Sequence, residues 1–367
     1  MRFAWPELAL PIRRTKSMKD LQANPMLDHA AISVSAGVRG VTPQTSRVER
    51  VSVVVPVRNE ESSIERLIDG LLEQTCQPSE IVITDGGSDD RTREIIRTLQ
   101  KSSPVPIVLI ETNHALPGRG RNLGIASAAD EWIACIDAGI TPHVDWLKEL
   151  VASAEHTPEA EVIYGRYEAV TDSYFTECAA ITYAPAPGEL TRSIASCLLR
   201  RSAWEVAGGF REDLRSAEDL LFFRSLEKAK VRAAYSRDAV VYWSLQPSVG
   251  STFRRMRHYS RHNIKAGLAS EWQFRVSRLY ALMLLALAGG FFWPPLFLLP
   301  PLIHILRAER RVQRWYRGQT RRRLWIEMLN PRRVLTVMWI NVVIDMAMFH
   351  GMLKWLMHDR WGVADKS

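Results

Sequence analysis

Cysteine is scarce in this chain, with four among 367 residues, at positions 76, 135, 178 and 197. No two of them stand in a Cys-x-x-Cys pair, which argues against a zinc site, and their small number argues against a disulfide scaffold. Cys76 and Cys135 lie beside apolar runs and read as small core residues of a chain kept in a reducing compartment. Internal repeats are absent. Cysteine, serine and histidine form no nucleophile arrangement. Charge of either sign is missing from Leu279 to Leu306. As one helix that stretch would measure about 42 Å, more than the ~30 Å of a bilayer core. Pro294-Pro295 and Pro300-Pro301 interrupt it, so a straight crossing gives way to a bent, re-entrant or interfacial segment.

What the chain does have is a basic excess, 48 Lys and Arg against 40 Asp and Glu, for a formal net charge of +8. Such an excess suits an anionic partner: a membrane surface, nucleotide phosphates or nucleic acid. Arginine is dense from Arg307 to Arg333, beside two apolar stretches. That placement favours lipid headgroups over nucleic acid. It also marks the stretch as a cytoplasmic loop, flanked after it by the apolar run Val334 to Leu353. Asp345 lies inside that run and needs a buried partner. Residues 1–49 show no sustained periodicity, and the apolar piece Phe3 to Ile12 is broken by Pro6 and Pro11. We expect a poorly ordered extension there rather than a signal peptide.

The chain is organised around Val51 to Asp90. A β-branched run, Val51 to Val57, precedes Ile64, Leu67, Ile68, Leu71 and Leu72 at helical spacing, and a second apolar run, Ile81 to Thr84, ends in Asp85-Gly86-Gly87-Ser88-Asp89-Asp90. Strand, helix, strand at this spacing predicts a βαβ unit and a parallel sheet buried on both faces. Ligands of such sheets bind beyond the carboxyl ends of the strands, where both polar clusters fall. Further strands are expected at 107–110, 132–136, 162–164, 194–199, 231–235 and 240–243. Helices are expected at about 90–100, 123–129, from Pro142 through 155, and 216–230. The stretch 175–190 reads as irregular, and Phe253 to Ala266 as a basic, aromatic helix. This alternation predicts an α/β fold.

Four stretches in order, PVRNEES, the Asp85 cluster, LPGRGRNLGIASAADEWIACIDAG and GGFREDLRSAEDLLFF, resemble glycosyltransferase family 2, the inverting nucleotide-sugar transferases. The resemblance covers about residues 51–267. It implies a GT-A fold, a Rossmann-like domain with a mostly parallel central sheet, here with a C-terminal α-helical membrane-associated region. It implies a cleft for a UDP-, GDP- or dTDP-sugar. Pro56, Arg58, Asn59, Glu60, Asp85, Gly87 and Ser88 would hold the nucleoside side of that cleft. The same turn residues also read as turn and helix-cap chemistry. Many members carry two adjacent aspartates where this chain has Asp85-Gly86.

Arg119, Arg121 and Asn122 would face the diphosphate. Asp137 occupies the family's acidic metal motif, whose second acidic position is here Gly139. Asp137 would then hold a divalent cation, Mg2+ or Mn2+, with waters completing its shell. Glu218-Asp219 matches the family's catalytic pair, with Asp219 as base behind the attacking hydroxyl. Ser216 three residues earlier also gives a capping-box pattern. Arg254, Arg257, His258, Tyr259, Arg261 and His262 on the basic helix resemble the family's helix near the membrane and would serve as phosphate, acceptor or lipid contacts.

The resulting expectation is a transferase domain at 50–247, an interface helix at 248–277, a re-entrant or transmembrane segment at 278–306, an arginine-rich loop at 307–333 and a second membrane segment with tail at 334–367. The domain would face the cytoplasm at the cell inner membrane. It would transfer a sugar to a lipid-linked or polysaccharide acceptor, with membrane lipids as partners and no nucleic acid. The alternative is a non-catalytic membrane scaffold built on a degenerate transferase domain.

Overall fold

The computed structural model describes residue 48 and residues 50–362, so the expected N-terminal extension lies outside the described residues but for residue 48. The first βαβ unit forms where the pattern places it: β1 (Val51–Val57), α1 (Ile64–Leu72) and β2 (Glu80–Asp85). In α1 the side chains of Ile64, Leu67, Ile68 and Leu71 are at most 1% exposed, each contributing ~1.5–3 kcal/mol by burial. The chain continues through α2 (Thr92–Ser102), β3 (Ile107–Glu111), α3 (Pro117–Ser127), β4 (Trp132–Cys135), β5 (Ile140–Pro142), α4 (Trp146–His156) and β6 (Val162–Val170). Then come α5 (Tyr174–Tyr183), β7 (Cys197–Arg200), α6 (Arg201–Ala207), α7 (Glu218–Lys228) and β8 (Ala233–Ser244).

The eight strands form one sheet in the order β3-β2-β1-β4-β7-β6-β8-β5. Pairs β1–β2, β2–β3, β1–β4 and β6–β8 are parallel, while β4–β7, β6–β7 and β5–β8 are antiparallel. Alternation along the strands divides the core. Val53, Val55, Ile81 and Ile83 pack with α1, α2 and α4. Val54, Val82, Ile133 and Cys135 face the opposite layer, where Ile125 of α3 and Phe222 of α7 meet them.

Several elements differ from the sequence pattern. Pro142 ends β5, an edge strand that tolerates proline, and the helix starts at Trp146. The stretch read as irregular contains α5, opened by a capping box between Ser173 and Thr176. Its residues from Cys178 to Tyr183 are all buried, which leaves no amphipathic period to read. The two strands expected at 231–235 and 240–243 are one strand, β8. Ser236-Arg237-Asp238 splits the apolar pattern, but the strand runs through them and a register shift against β6 absorbs the irregularity.

A helical layer follows: α8 (Val249–Lys265), α9 (Gln273–Gly290), a short 3₁₀ turn (Pro294–Leu298), α10 (Leu299–Tyr316), α11 (Arg321–Met328) and α12 (Pro331–Lys354). The expected arginine-rich loop is therefore mostly helix. Arg311 and Arg314 donate to the carbonyls of Thr182 and Ala184 at the end of α5. Arg333 pairs with Glu177 at 2.7 Å and Glu327 at 2.5 Å.

Helix α12 lies close along α8. Ser260 Oγ donates to the Met348 carbonyl at 2.8 Å, and a Cβ on Gly351 would come within 2.5 Å of the Arg257 carbonyl oxygen. Residues 331–360 are long and apolar enough to cross a membrane, yet more than half of an 18-residue apolar window within them is buried inside the protein. Asp345 finds its partners in Arg307, through two hydrogen bonds of 2.6 and 3.1 Å, and in the Tyr280 hydroxyl at 3.1 Å. That cluster ties α9, α10 and α12 together.

Candidate active site

Strands β2 and β3 extend the sheet on one side of β1, and β4 on the other. The chain thus reverses direction across the sheet beside β1, which opens a crevice at the carboxyl ends of the strands. A cleft of about 320 Å³ lies there. Pro56 enters it at the end of β1 and Arg58 and Glu60 just after, Thr84 and Gly86 at the end of β2, and Asp137-Ala138 after β4. The opposite wall is the start of α7, with Arg215, Glu218 and Asp219.

Arg121 links these walls. It sits in the second turn of α3, which begins at Pro117 rather than after the expected loop, proline being well suited to a first helical position. Glycines on either side allow this approach: a Cβ on Gly118 would lie 2.0 Å from the Arg211 carbonyl oxygen, and one on Gly124 2.5 Å from Val54 Cγ1. The Arg121 guanidinium is 4% exposed. It donates to Asp137 Oδ1 at 2.5 Å and to Glu218 Oε1 at 2.7 Å. Burial works against its charge, but the two carboxylates outweigh burial and hold its pKa above the ordinary value. Glu218 Oε2, also buried, has no hydrogen-bond partner among the described residues.

Asp219 lies beside Glu218 on the first turn of α7, 4% exposed, and accepts from the Leu220 backbone at 2.8 Å. The expected capping box from Ser216 does not form. Ala217 occupies the cap position at φ 71°, and the Ser216 hydroxyl is buried without a partner. Phe222, Phe223 and Leu226 anchor the helix in the core behind the two acids.

The other sequence-predicted residues divide into two groups. Pro56, Arg58, Glu60, Arg121, Asp137, Glu218 and Asp219 line the cleft. Burial, aided by the charges of Asp137 and Asp90, raises the Glu60 carboxyl above its ordinary range. Asn59, Asp85, Gly87, Ser88, Arg119, Asn122, Arg254 and Arg257 are not among the residues lining it. Asp85 is fully buried and accepts the backbone N–H groups of Gly87 and Ser88 at 3.0 Å. Asn59 and Ser88 join the two loops: the Asn59 N–H donates to Ser88 Oγ, and Asn59 Oδ1 accepts from Asp89. Gly86 has no room for a side chain, since a Cβ would meet the Ala115 carbonyl oxygen at 2.4 Å. Asn122 is turned toward α6 and the following loop, bonding the Phe210 backbone and Trp204 Nε1.

Sequence reasoning missed Arg255 and Asn263, whereas Tyr259 stood among the basic-helix residues read as phosphate, acceptor or lipid contacts. These three stand at i, i+4 and i+8 on the cleft face of α8. Arg255 Nε donates to the Tyr259 hydroxyl at 2.8 Å, and the guanidinium lies 5.0 Å from the Trp243 ring centroid. It forms no ion pair among the described residues. Arg254 is exposed on a neighbouring face. The available signal was the buried stripe Thr252, Met256, Ser260, which fixes the phase of the helix and so the side on which Arg255 falls. The rings of His258 and His262 meet on α8 with centroids 4.4 Å apart, tilted 40° to each other. Burial and neighbouring cations push both pKa values down to about 4, so neither carries charge at neutral pH.

For a divalent cation the donor set is small. Asp137 keeps one oxygen on Arg121, and its side chain is 30% exposed. Gly139, at φ 79°, would place a Cβ 3.8 Å from Glu60 Oε2. Among the described residues no three His, Cys, Asp or Glu side chains converge on one metal position. These residues fit a cation held by Asp137 together with ligand oxygens, not one held by protein atoms alone.

Residues 52–204 match the family model described as Glycosyl transferase family 2. Among curated proteins, glycosyltransferase AglE of Haloferax volcanii is 24% identical over 272 residues, covering 69% of this chain and 85% of that protein. Poly(ribitol-phosphate) beta-N-acetylglucosaminyltransferase TarS of Staphylococcus aureus is 27% identical over 252 residues, covering 64% of this chain and 40% of its own length. Among solved structures, the mannosyltransferase PcManGT of Pyrobaculum calidifontis, in complex with GDP-Man and Mn2+, superposes with a TM-score of 0.51. It shares 20% identity and covers 86% of this chain and 89% of that one, a likeness of fold.

Proposed function

Starting from its membership of glycosyltransferase family 2, we propose that this chain is a membrane-associated inverting transferase acting from the cytoplasmic face of the cell inner membrane. Its donor is a nucleotide-diphosphate sugar, and its acceptor is lipid-linked or a growing glycan. The observation that carries this reading is the Asp137–Arg121–Glu218 bridge. It sets a carboxylate on the donor side of the cleft and Asp219 on the other at a topological switch point.

In this reading Asp219 takes the proton from the acceptor hydroxyl. The hydroxyl oxygen forms a bond to the anomeric carbon as the bond from that carbon to the diphosphate oxygen breaks. The nucleoside diphosphate departs and the anomeric configuration inverts. Arg58, Arg215 and Arg255 line the same cleft and offset the charge gathering on the leaving group. Asp137 would hold a Mg2+ or Mn2+ ion, which would supply further positive charge on the donor side of the cleft. The bound GDP-Man and Mn2+ of the mannosyltransferase with this fold are consistent with such a donor and cation.

Equilibrium titration with UDP, GDP and dTDP, with and without a chelator, tests the donor side. One nucleotide should bind, and the chelator should weaken it. Binding indifferent to chelator would remove the cation from the account, and no binding of any nucleotide would leave the scaffold reading.

A further inference from the structure

Resting on that transferase reading, the geometry points to α9 and α10 as a wedge that enters one leaflet of an anionic bilayer without crossing it. The acceptor is then a lipid whose reacting group sits at the headgroup level. The two helices run from the domain and back, joined at Phe291-Phe292-Trp293 and the 3₁₀ turn. The turn folds tightly onto the end of α9: Cβ atoms on Gly289 and Gly290 would lie 2.8 Å from Leu296 and Phe297. At the tip Phe291, Phe292 and Trp293 are 83%, 92% and 62% exposed.

Both arms change character at a matching place. On α9 the exposed Arg275 and Arg278 give way to exposed Leu282, Leu284 and Leu285. On α10 the exposed stripe Leu299, Leu302, Leu306 gives way to Arg310 and then, just past the helix end, to Arg317. The charge-free arms span about 18 Å on α9 and about 12 Å on α10, roughly half the ~30 Å bilayer core. The arginines form a collar where headgroup phosphates would lie, and none of these four forms an ion pair among the described residues. The Arg307–Asp345–Tyr280 cluster fixes the base of the wedge against α12.

The collar also sets the height of the cleft. Glu271 and Trp272 line the cleft, and α9 begins at the next residue. Arg275 is three residues beyond Trp272, a rise of about 4.5 Å. A cleft wall so close to the collar reaches a hydroxyl or phosphate held in the headgroup layer.

The test is flotation of the full chain with vesicles of phosphatidylcholine alone and of equal parts phosphatidylcholine and phosphatidylglycerol. The protein should float with the mixed vesicles. Phe291→Ser, Phe292→Ser and Trp293→Ser combined should abolish flotation, and each of Arg275→Gln, Arg278→Gln, Arg310→Gln and Arg317→Gln should weaken it on the order of fivefold. Nucleotide diphosphate binding by the same variants should be unchanged, which shows they are folded. A probe on Phe292→Cys should be quenched from the acyl chains of the near leaflet and not from the far aqueous side. Intact nucleotide binding without flotation, a tip variant that floats normally, or one that only dissociates a dimer would overturn the wedge and leave the transferase reading standing. Loss of nucleotide binding in the unaltered chain would instead count against that reading.

Discussion

Asp219→Asn is expected to lower sugar transfer by about 10²–10⁴-fold, the usual contribution of a positioned general base, while nucleotide diphosphate binding stays intact. The substitution keeps the size of the side chain and an oxygen that can accept from the Leu220 backbone. It removes only the capacity to take a proton. Glu218 next to it is a poor replacement, because taking up a proton would give up its buried ion pair with the Arg121 cation. Initial rates of nucleoside diphosphate release with acceptor present, beside a binding titration, separate the two effects. Equal transfer by Asp219→Asn and the unaltered chain would remove Asp219 from the mechanism.

The second large effect belongs to Arg121. Arg121→Ala should destabilise the fold by about 3–5 kcal/mol, because it leaves buried charge without its partner. Glu218 is 6% exposed and has no other partner for its carboxylate among the described residues, whereas Asp137 at 30% exposure recovers some solvation. The denaturant midpoint would fall at unchanged slope. Transfer in the folded fraction should fall as well, since both carboxylates lose their fixed placement. Arg121→Lys keeps the charge but cannot reach two carboxylates with one fork, so it should recover stability more than transfer. A merely structural role predicts the reverse: full transfer per folded molecule in both variants. Adding Glu218→Gln to Arg121→Ala should return much of the lost stability, because the second substitution removes the stranded charge.

The parts of this fold that were legible in the sequence are those with a clean period. The run Val51 to Val57, the stripe Ile64 to Leu71 and the run Ile81 to Thr84 gave β1, α1 and β2 directly, and with them the end of the sheet where the cleft opens. Helix α5 was not legible, because its later turns are buried all round. The division of β8 was misread because polarity interrupted a strand that backbone pairing continues. At the site, motif order identified Asp137, Glu218 and Asp219 as cleft residues, but not what joins them. The pairing of Arg121 with two carboxylates 16 and 97 residues away depends on where α3 meets β4 and α7. Arg255 was missed for a simpler reason. A helix with arginine at 254, 255 and 257 presents cations on several faces, and only the packing against α12 decides which one reaches the cleft.

The central claim is transfer of a sugar from a nucleotide donor. The most direct measurement is label transfer from a panel of UDP-, GDP- and dTDP-sugars into a lipid extract, using membranes that contain the unaltered chain or Asp219→Asn. Label from one donor should appear in lipid with the unaltered chain alone, with inverted anomeric configuration and with loss on adding chelator. No label from any donor, in a protein that also binds no nucleotide, would contradict the account.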